Sequence, residues 1–331
     1  IDAFINLVKL DPDTVEMHFS LAGLFRRRGE FDRAIKIHNV LVNREDLPKK
    51  IRSRALYELG EDYLKAGLWD RAEECFLKLS DTSESYKTIA RKELLHIYET
   101  EKELQKAIDE ANIIQRQSGE DQSTRIAQLY CELTQQNLYF KNFKGAAEAL
   151  EKALKVDPNN KRALIIKGKM LKAKGDIDGA LATWKQVGQI SPVYGTLVVE
   201  QIASLLLEAG RKEEAVKYLE DLFKDGSTTD EVDTAGILLG KAGNSKEAIT
   251  LIQEHLKTQP TLVAFYRLID LRLANEPENE SLKQLHGLLS KAVRYKCTKC
   301  GFATRKFLWR CPGCHQWETF PPVRQENLSG K

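Results

Sequence analysis

A chain of 331 residues in which 51 Lys and Arg nearly cancel 48 Asp and Glu, for a net charge of +3, does not by its overall charge demand nucleic acid or an anionic membrane as partner. Charged residues make up 30% of it, no apolar run reaches the roughly 18–20 residues that cross a bilayer, and no signal peptide is visible, so the chain as given reads as soluble. The length exceeds one compact core but suits a helical array carrying a small module.

The chain starts at Ile1 rather than Met, and residues 3–12 read as the second half of a helical hairpin lacking its first half. The expectation is that a segment has been cut from the front. Beyond this point internal repeats dominate. A small residue where two helices cross is followed by an aromatic residue or Leu three on, a turn Gly four later and an Ala five beyond the turn, which is the tetratricopeptide pattern. Ala22, Phe25, Gly29 and Ala34 form one instance, and Gly60, Tyr63, Gly67 and Ala72 the next. Gly168, Leu171, Gly175 and Ala180 repeat it, as do Ala203, Leu206, Gly210 and Ala215, and Gly236, Leu239, Gly243 and Ala248. Two units are weaker: Leu95, Tyr98 and Ala107 have Lys102 at the turn, and Ala146 and Ala153 supply a good second helix behind a poor first one. The alanines recur every 33 to 39 residues, which brackets the ideal period and puts the extra residues in inter-repeat loops around 45–50 and 81–85. Asp157-Pro158 and Ser191-Pro192 are expected to end second helices, as is Asp11-Pro12, because proline disfavours helix in the residue before it.

The pattern changes after residue 261. Residues 262–274 and 280–295 read as amphipathic helices without a turn Gly, which suits a capping pair. Arg294-Tyr295-Lys296 then leads, with no Gly/Ser linker, into Cys297-Thr298-Lys299-Cys300 and Cys311-Pro312-Gly313-Cys314. Two Cys-x-x-Cys hooks ten residues apart can set four thiolates round one metal, with the ligand count of a closed structural site. Zinc is the first choice for four sulfurs, and iron fits the same cage. Phe302, Phe307, Trp309, Trp317 and Phe320 are expected to supply packing for the module, and the lack of a linker predicts that it docks on the repeats as a lid. Cys75 and Cys131 fall in apolar helical segments and read as buried free thiols of a reducing compartment. The segment after Phe320 reads as a frayed tail.

No phosphate loop, dinucleotide fingerprint, His-Glu-x-x-His or nucleophile elbow is present. His18, His38, His96, His255 and His286 each sit alone on an expected helix, and His315 follows a cage that is already full. An enzyme reading has no residue to rest on. Recognition remains, through first helices that line a concave surface. Counting outward positions gives a groove with Arg26, Arg54, Arg162, Lys169 and Lys172 offering charge to an acidic partner, and Tyr57 and Tyr139 offering apolar contact.

The order of parts, with Arg33-Ala34-Ile35 and Ile37-His38, Ala66-Gly67-Leu68 with Asp70-Arg71-Ala72-Glu73, and the block from Arg294 to Trp317, resembles the lipopolysaccharide assembly protein B family over essentially the whole chain. The gap between hooks is much shorter than in true rubredoxins, which argues against electron transfer. The resemblance implies an all-α fold: a tetratricopeptide-repeat superhelical solenoid over 1–261 that starts mid-repeat, a capping helix pair over 262–295, a four-cysteine rubredoxin-like or zinc-ribbon module over 296–320, and a flexible tail over 321–331. It further implies a non-enzymatic adaptor at the cytoplasmic face of a bacterial inner membrane, held by an N-terminal anchor absent from this chain. Its implied partners are the LpxC deacetylase, the FtsH membrane protease, and lipopolysaccharide transport and regulatory membrane proteins, with no nucleic acid. Two other classes stay open: a nucleic-acid-binding zinc ribbon on a helical stalk, which needs exposed aromatic and basic residues on the ribbon, and a redox protein with iron in the cage.

Overall fold

The computed structural model describes residues 15–223, 229–273, 280–289 and 293–321. The half-hairpin at 3–12 and the tail from 322 onward lie outside these. The chain divides into two compact units, residues 1–137 and 138–331.

The first unit holds α1 (Val15–Arg27), α2 (Phe31–Asn43), α3 (Lys49–Lys65), α4 (Trp69–Thr82), α5 (Lys87–Thr100), α6 (Leu104–Ser118) and most of α7 (Ser123–Tyr139). Consecutive helices from α1 to α6 pack against each other. The expected hairpins are there, with Ala22, Ala34, Ala72 and Ala107 fully buried at the crossings. The weaker unit keeps its geometry too: Leu95 and Tyr98 are buried, and Lys102 takes the left-handed φ of 62° that a turn Gly takes elsewhere. The expected inter-repeat loops fall between α2 and α3, at residues 44–48, and between α4 and α5, at residues 83–86.

The second unit contains α8 (Phe143–Val156), α9 (Lys161–Ala173), α10 (Ile177–Ile190), the single turn α11 (Pro192–Gly195), α12 (Val199–Glu208), α13 (Lys212–Asp221), α14 (Thr229–Lys241), α15 (Ser245–Thr258), α16 (Leu262–Arg272) and α17 (Glu280–Leu289). Asp157 and Ser191 are the C-caps of α8 and α10, where the prolines placed them, and Pro192 opens α11. Sequence neighbours pack on each other from α8 to α11 and again from α12 to α17, α10 reaches past α11 to α12, α12 also reaches α14, and α14 reaches α16. Among the described residues the last helix runs to Leu289. Tyr295–Lys296 is instead strand β1, paired antiparallel with β2 (Ala303–Thr304) in the register Tyr295 to Thr304 and Lys296 to Ala303. The aromatic ring of Tyr295 is worth more in the module than on a helix: it is buried with Cys297, Cys311 and Phe320. Among the described residues no helix is long and apolar enough to cross a membrane.

Size complementarity at the crossings is the local rule of both units. A Cβ on Gly60 would stand 2.7 Å from the Phe76 ring, and one on Gly168 would overlap the indole of Trp184, which donates from Nε1 to the Ile165 carbonyl at 3.1 Å. The absent side chain on one helix is the space for the ring on the other. Gly168→Ala must therefore push Trp184 out of a packed cluster, and is expected to lower stability by roughly 1–3 kcal/mol. Gly175→Ala, in open space but at φ +83°, should cost about 1 kcal/mol from backbone strain alone. Denaturant midpoints of the two variants test this, with near-ultraviolet dichroism of the tryptophan changing in the first only.

Candidate metal centre

The site begins where β1 ends. Cys297 donates its amide to the Phe302 carbonyl at 2.8 Å, and Gly301, at φ +77°, donates to the Cys297 carbonyl at 3.0 Å, folding the first hook back on itself. The second hook repeats this. Cys311 donates to the Gln316 carbonyl at 2.9 Å, and His315, at φ +58°, donates to the Cys311 carbonyl at 2.9 Å. His315 thus stands in the backbone role that Gly301 fills in the first hook, with an exposed side chain.

All four sulfurs lie within 4.8 Å of one another. Cys297 and Cys314 are 3.7 Å apart and Cys300 and Cys311 3.5 Å. A disulfide needs about 2.0 Å. Tetrahedral ligation at about 2.3 Å sets sulfurs about 3.8 Å apart, close to what is seen. The amides of Lys299 and Gly313 lie 3.4 Å from the Cys297 and Cys311 sulfurs, and that of Cys314 lies 3.5 Å from Cys311, so dipoles aim at the thiolates. Burial works against ionisation of Cys297, but the Thr319 hydroxyl and the Cys300 and Lys299 amides outweigh it and pull this thiol down to about 6. Cys314 has the Gln316 amide in favour of its thiolate, yet burial and the three other sulfurs push it up to about 12. Four close thiols cannot all ionise against each other, whereas one soft divalent cation satisfies all four. The donor set fits a single structural metal held by Cys297, Cys300, Cys311 and Cys314.

The module's aromatic residues divide by where they find cover. Phe320 is fully buried inside, and Phe302 meets it edge-on while staying 42% exposed. Phe307 and Trp309 pack onto the cluster of Leu164, Trp184, Tyr194 and Ile202 in the repeats. Trp309 stacks on Tyr194 with centroids 5.8 Å apart and planes at 8°, and Phe307 meets the same ring edge-on at 5.9 Å. Glu318 completes the contact: its carbonyl accepts from the Tyr194 hydroxyl at 3.1 Å, and its carboxylate takes Lys161 Nζ at 2.9 Å and Asn160 Nδ2 at 3.4 Å. Asn160 is also the N-cap of α9, accepting from the Ala163 amide, so one buried residue ties the start of that helix to the module. The expected lid contact is therefore present. Tyr194, Asn160, Lys161 and Glu318 were not singled out from the sequence. An aromatic residue inside α11, an insertion outside the repeat pattern, is the signal that could have found Tyr194.

The proposed groove residues separate. Arg162 does not face a partner: it is only 5% exposed, with its guanidinium 5.8 Å from the Trp309 ring and 6.0 Å from the Trp317 ring. Outward counting missed this because the module covers that face. Arg26 is half-buried and bonded to Glu58 and Asp62, and Tyr57 is packed between Phe76 and Tyr86. Arg54 lies over the Phe19 ring at 4.1 Å and pairs with Glu16 at 2.7 Å. Lys169 and Tyr139 are exposed, and exposed Lys172 pairs with Glu208 at 2.7 Å. Nor is the first-helix surface simply basic. Half-buried Glu93 is pushed up to about 7 by burial and by neighbouring Glu61, with Lys65 opposing. The ribbon's tryptophans, engaged by Tyr194, Arg162 and Arg310, are not presented as a stacking platform for bases.

Helical hairpin repeats carrying a docked pair of cysteine hooks define a tetratricopeptide scaffold that ends in a rubredoxin-type metal domain. A family described as "Rubredoxin metal binding domain" matches residues 295–322, and "Tetratricopeptide repeat" matches 1–46 and 138–188. Over 98% of its length the chain is 34% identical to lipopolysaccharide assembly protein B of Escherichia coli strain K12, covering 85% of that protein. It is 29% identical to the protein of the same name from Haemophilus influenzae, again over 98% of its own length and 86% of the relative's. The chain belongs to the lipopolysaccharide assembly protein B family. Among solved structures, a tetratricopeptide repeat protein from Parabacteroides merdae aligns with 83% of this chain and 98% of its own at 16% identity and a TM-score of 0.37, too loosely to inform function.

Two outcomes follow from the geometry. Replacing Cys297 and Cys300 with Ser should release the metal, measured by mass spectrometry, and abolish amide protection in the module. Protection should also fall at the start of α9 and in α11, which Asn160 and Tyr194 join to the module; loss confined to the module would show that the contact carries no stability. For Glu93, the folded pKa lies above the ordinary carboxylate value, so the native state holds an extra proton between about pH 4.5 and 7 and loses stability as pH rises through that window. Glu93→Gln should gain on the order of 1–2 kcal/mol relative to the parent between pH 5 and pH 8 in urea unfolding.

Proposed function

We propose that this chain is a non-enzymatic adaptor in lipopolysaccharide assembly that brings the LpxC deacetylase to the FtsH protease at the cytoplasmic face of a bacterial inner membrane, held there by a membrane anchor. The observation that carries the reading is collinear similarity to lipopolysaccharide assembly protein B over 98% of the chain, repeats and metal module together. The partners come from the family resemblance. Supporting the adaptor role is what the site holds: a metal whose four ligands are all protein sulfurs, and which we take to be zinc, serves to fold and hold a module rather than to activate a substrate.

For the partner surface we propose the exposed side of α1 and α3 in the first unit. An open cavity of about 470 Å³ is lined there by Phe19, Gly23, Arg26, Arg27, Arg54 and Glu58. Arg27 and Arg54 at its rim suit an acidic segment with an apolar anchor, and charge at a rim acts mainly on the rate of capture. The test uses bacteria depleted of their own family member and supplied with this chain on its membrane anchor. LpxC half-life after translation arrest should be short with the parent and several-fold longer with Arg27→Glu/Arg54→Glu, at unchanged helicity and metal content. An LpxC half-life indifferent to the presence of the chain overturns the adaptor reading; one that the parent shortens and the variant shortens equally overturns the surface.

A further inference from the structure

Large apolar side chains exposed singly on a protein surface need no explanation, and Val40, Leu77, Ile89 and Phe265 are of that kind. Three others are not single. Tyr139, at the end of α7, is 82% exposed, Phe140 in the following turn 70%, and Phe143 at the start of α8 66%. Tyr139 and Phe140 meet edge-on at 5.2 Å. The turn is closed by Lys141, which donates to the Leu138 carbonyl at 3.0 Å and sits at φ +57°, where five other hairpins place Gly. A side chain there costs backbone strain of about 1 kcal/mol, and its cation is delivered beside the exposed rings. Lys144 follows one residue after Phe143 and is exposed as well.

Along the chain, the charge beside these rings is one-sided. From 133 to 147 the chain has two lysines and no Asp or Glu, although acidic residues occur about once in seven elsewhere. We propose that the turn between α7 and α8 is a lipid-contact site for an anionic bilayer surface, with Tyr139, Phe140 and Phe143 entering the headgroup region and Lys141 and Lys144 paired with lipid phosphates. The chemistry is that of interfacial anchors generally. Aromatic rings gain by leaving water at headgroup depth, and each lysine adds about 1 kcal/mol near an anionic surface. A partner groove on another protein would bury the rings equally well, but it would not by itself select a turn cleared of carboxylates. The site is separate from the metal centre and does not rest on the adaptor reading.

Vesicle co-sedimentation of the metal-loaded chain tests it. Vesicles of phosphatidylglycerol and phosphatidylethanolamine should retain the chain roughly tenfold better than phosphatidylcholine vesicles, and raising salt from about 0.05 to about 0.5 M should release it. Tyr139→Ser/Phe140→Ser/Phe143→Ser should lose binding about tenfold or more on the anionic vesicles. Lys141→Glu/Lys144→Glu should lose it there by a similar factor and change nothing on the neutral ones. Helicity and metal content are checked for each, and the single variants Phe140→Ser and Lys144→Gln stand in if a multiple variant unfolds. Equal retention by neutral and anionic vesicles, or retention unaffected by both sets of variants, overturns the proposal. So does self-association in sedimentation velocity that the aromatic variant abolishes without any vesicle binding, since the rings would then cover a second copy of the chain.

Discussion

A metal-folded module of so few residues has no interior large enough for five aromatic rings, and this shortage determines how the second unit is built. Only Phe320 is wholly enclosed. Trp309 and Phe307 must be covered from outside, and the repeats provide Tyr194, Trp184 and Leu164 for the purpose. The apolar contact brings Arg162 with it, held out of water between two indole faces where a guanidinium is tolerated because it is weakly hydrated and stacks well. Lys161 then neutralises Glu318 at the edge, and Asn160 donates a hydrogen bond to the same carboxylate. Metal ligation is thereby connected to the repeat fold through side chains that themselves bind no metal.

The receiving surface depends in turn on the rule that governs each hairpin. Trp184 can occupy its place only because Gly168 leaves room on the facing helix, and the same exchange of a ring for a missing side chain joins Phe76 to Gly60. Helices approach closely where one partner is small, and the large partner then reaches across to stiffen the crossing. A solenoid whose units touch only their neighbours gathers stability from such local interfaces. That is why an insertion between hairpins, such as α11, can be given over to holding another module without disturbing the repeats on either side.

Part of the charge on the first unit is used inward. Arg26 serves Glu58 and Asp62, the latter fully buried and hydrogen-bonded to the buried ring of His38 at 2.5 Å, and Arg91 and Glu110 form a pair that is largely shielded from water. Cations committed to buried carboxylates cannot also attract a partner, because releasing them would leave an uncompensated charge in the interior. Counting basic residues along a helix therefore overstates what a surface can offer.

How much of this was legible in the residues differs by the range of the interaction. Gly29, Gly67, Gly175, Gly210 and Gly243 all adopt φ between 74° and 85°, and the alanines five residues on are all but fully buried, because hairpin turns and crossings are set by neighbours within one repeat. The four cysteines converge for the same reason, as each hook is closed by its own backbone. Tyr295 was read as the end of a helix rather than the start of β1 because the strand's pairing partner, Ala303–Thr304, exists only once the first hook has turned the chain back. Arg162 and Arg26 were assigned to an open groove by helical periodicity, which knows which way a side chain leaves its helix but not what will come to lie over it. What covers Arg162 is Trp309 and Trp317, some 150 residues away in sequence, and contacts at that separation are decided by the packed structure as a whole.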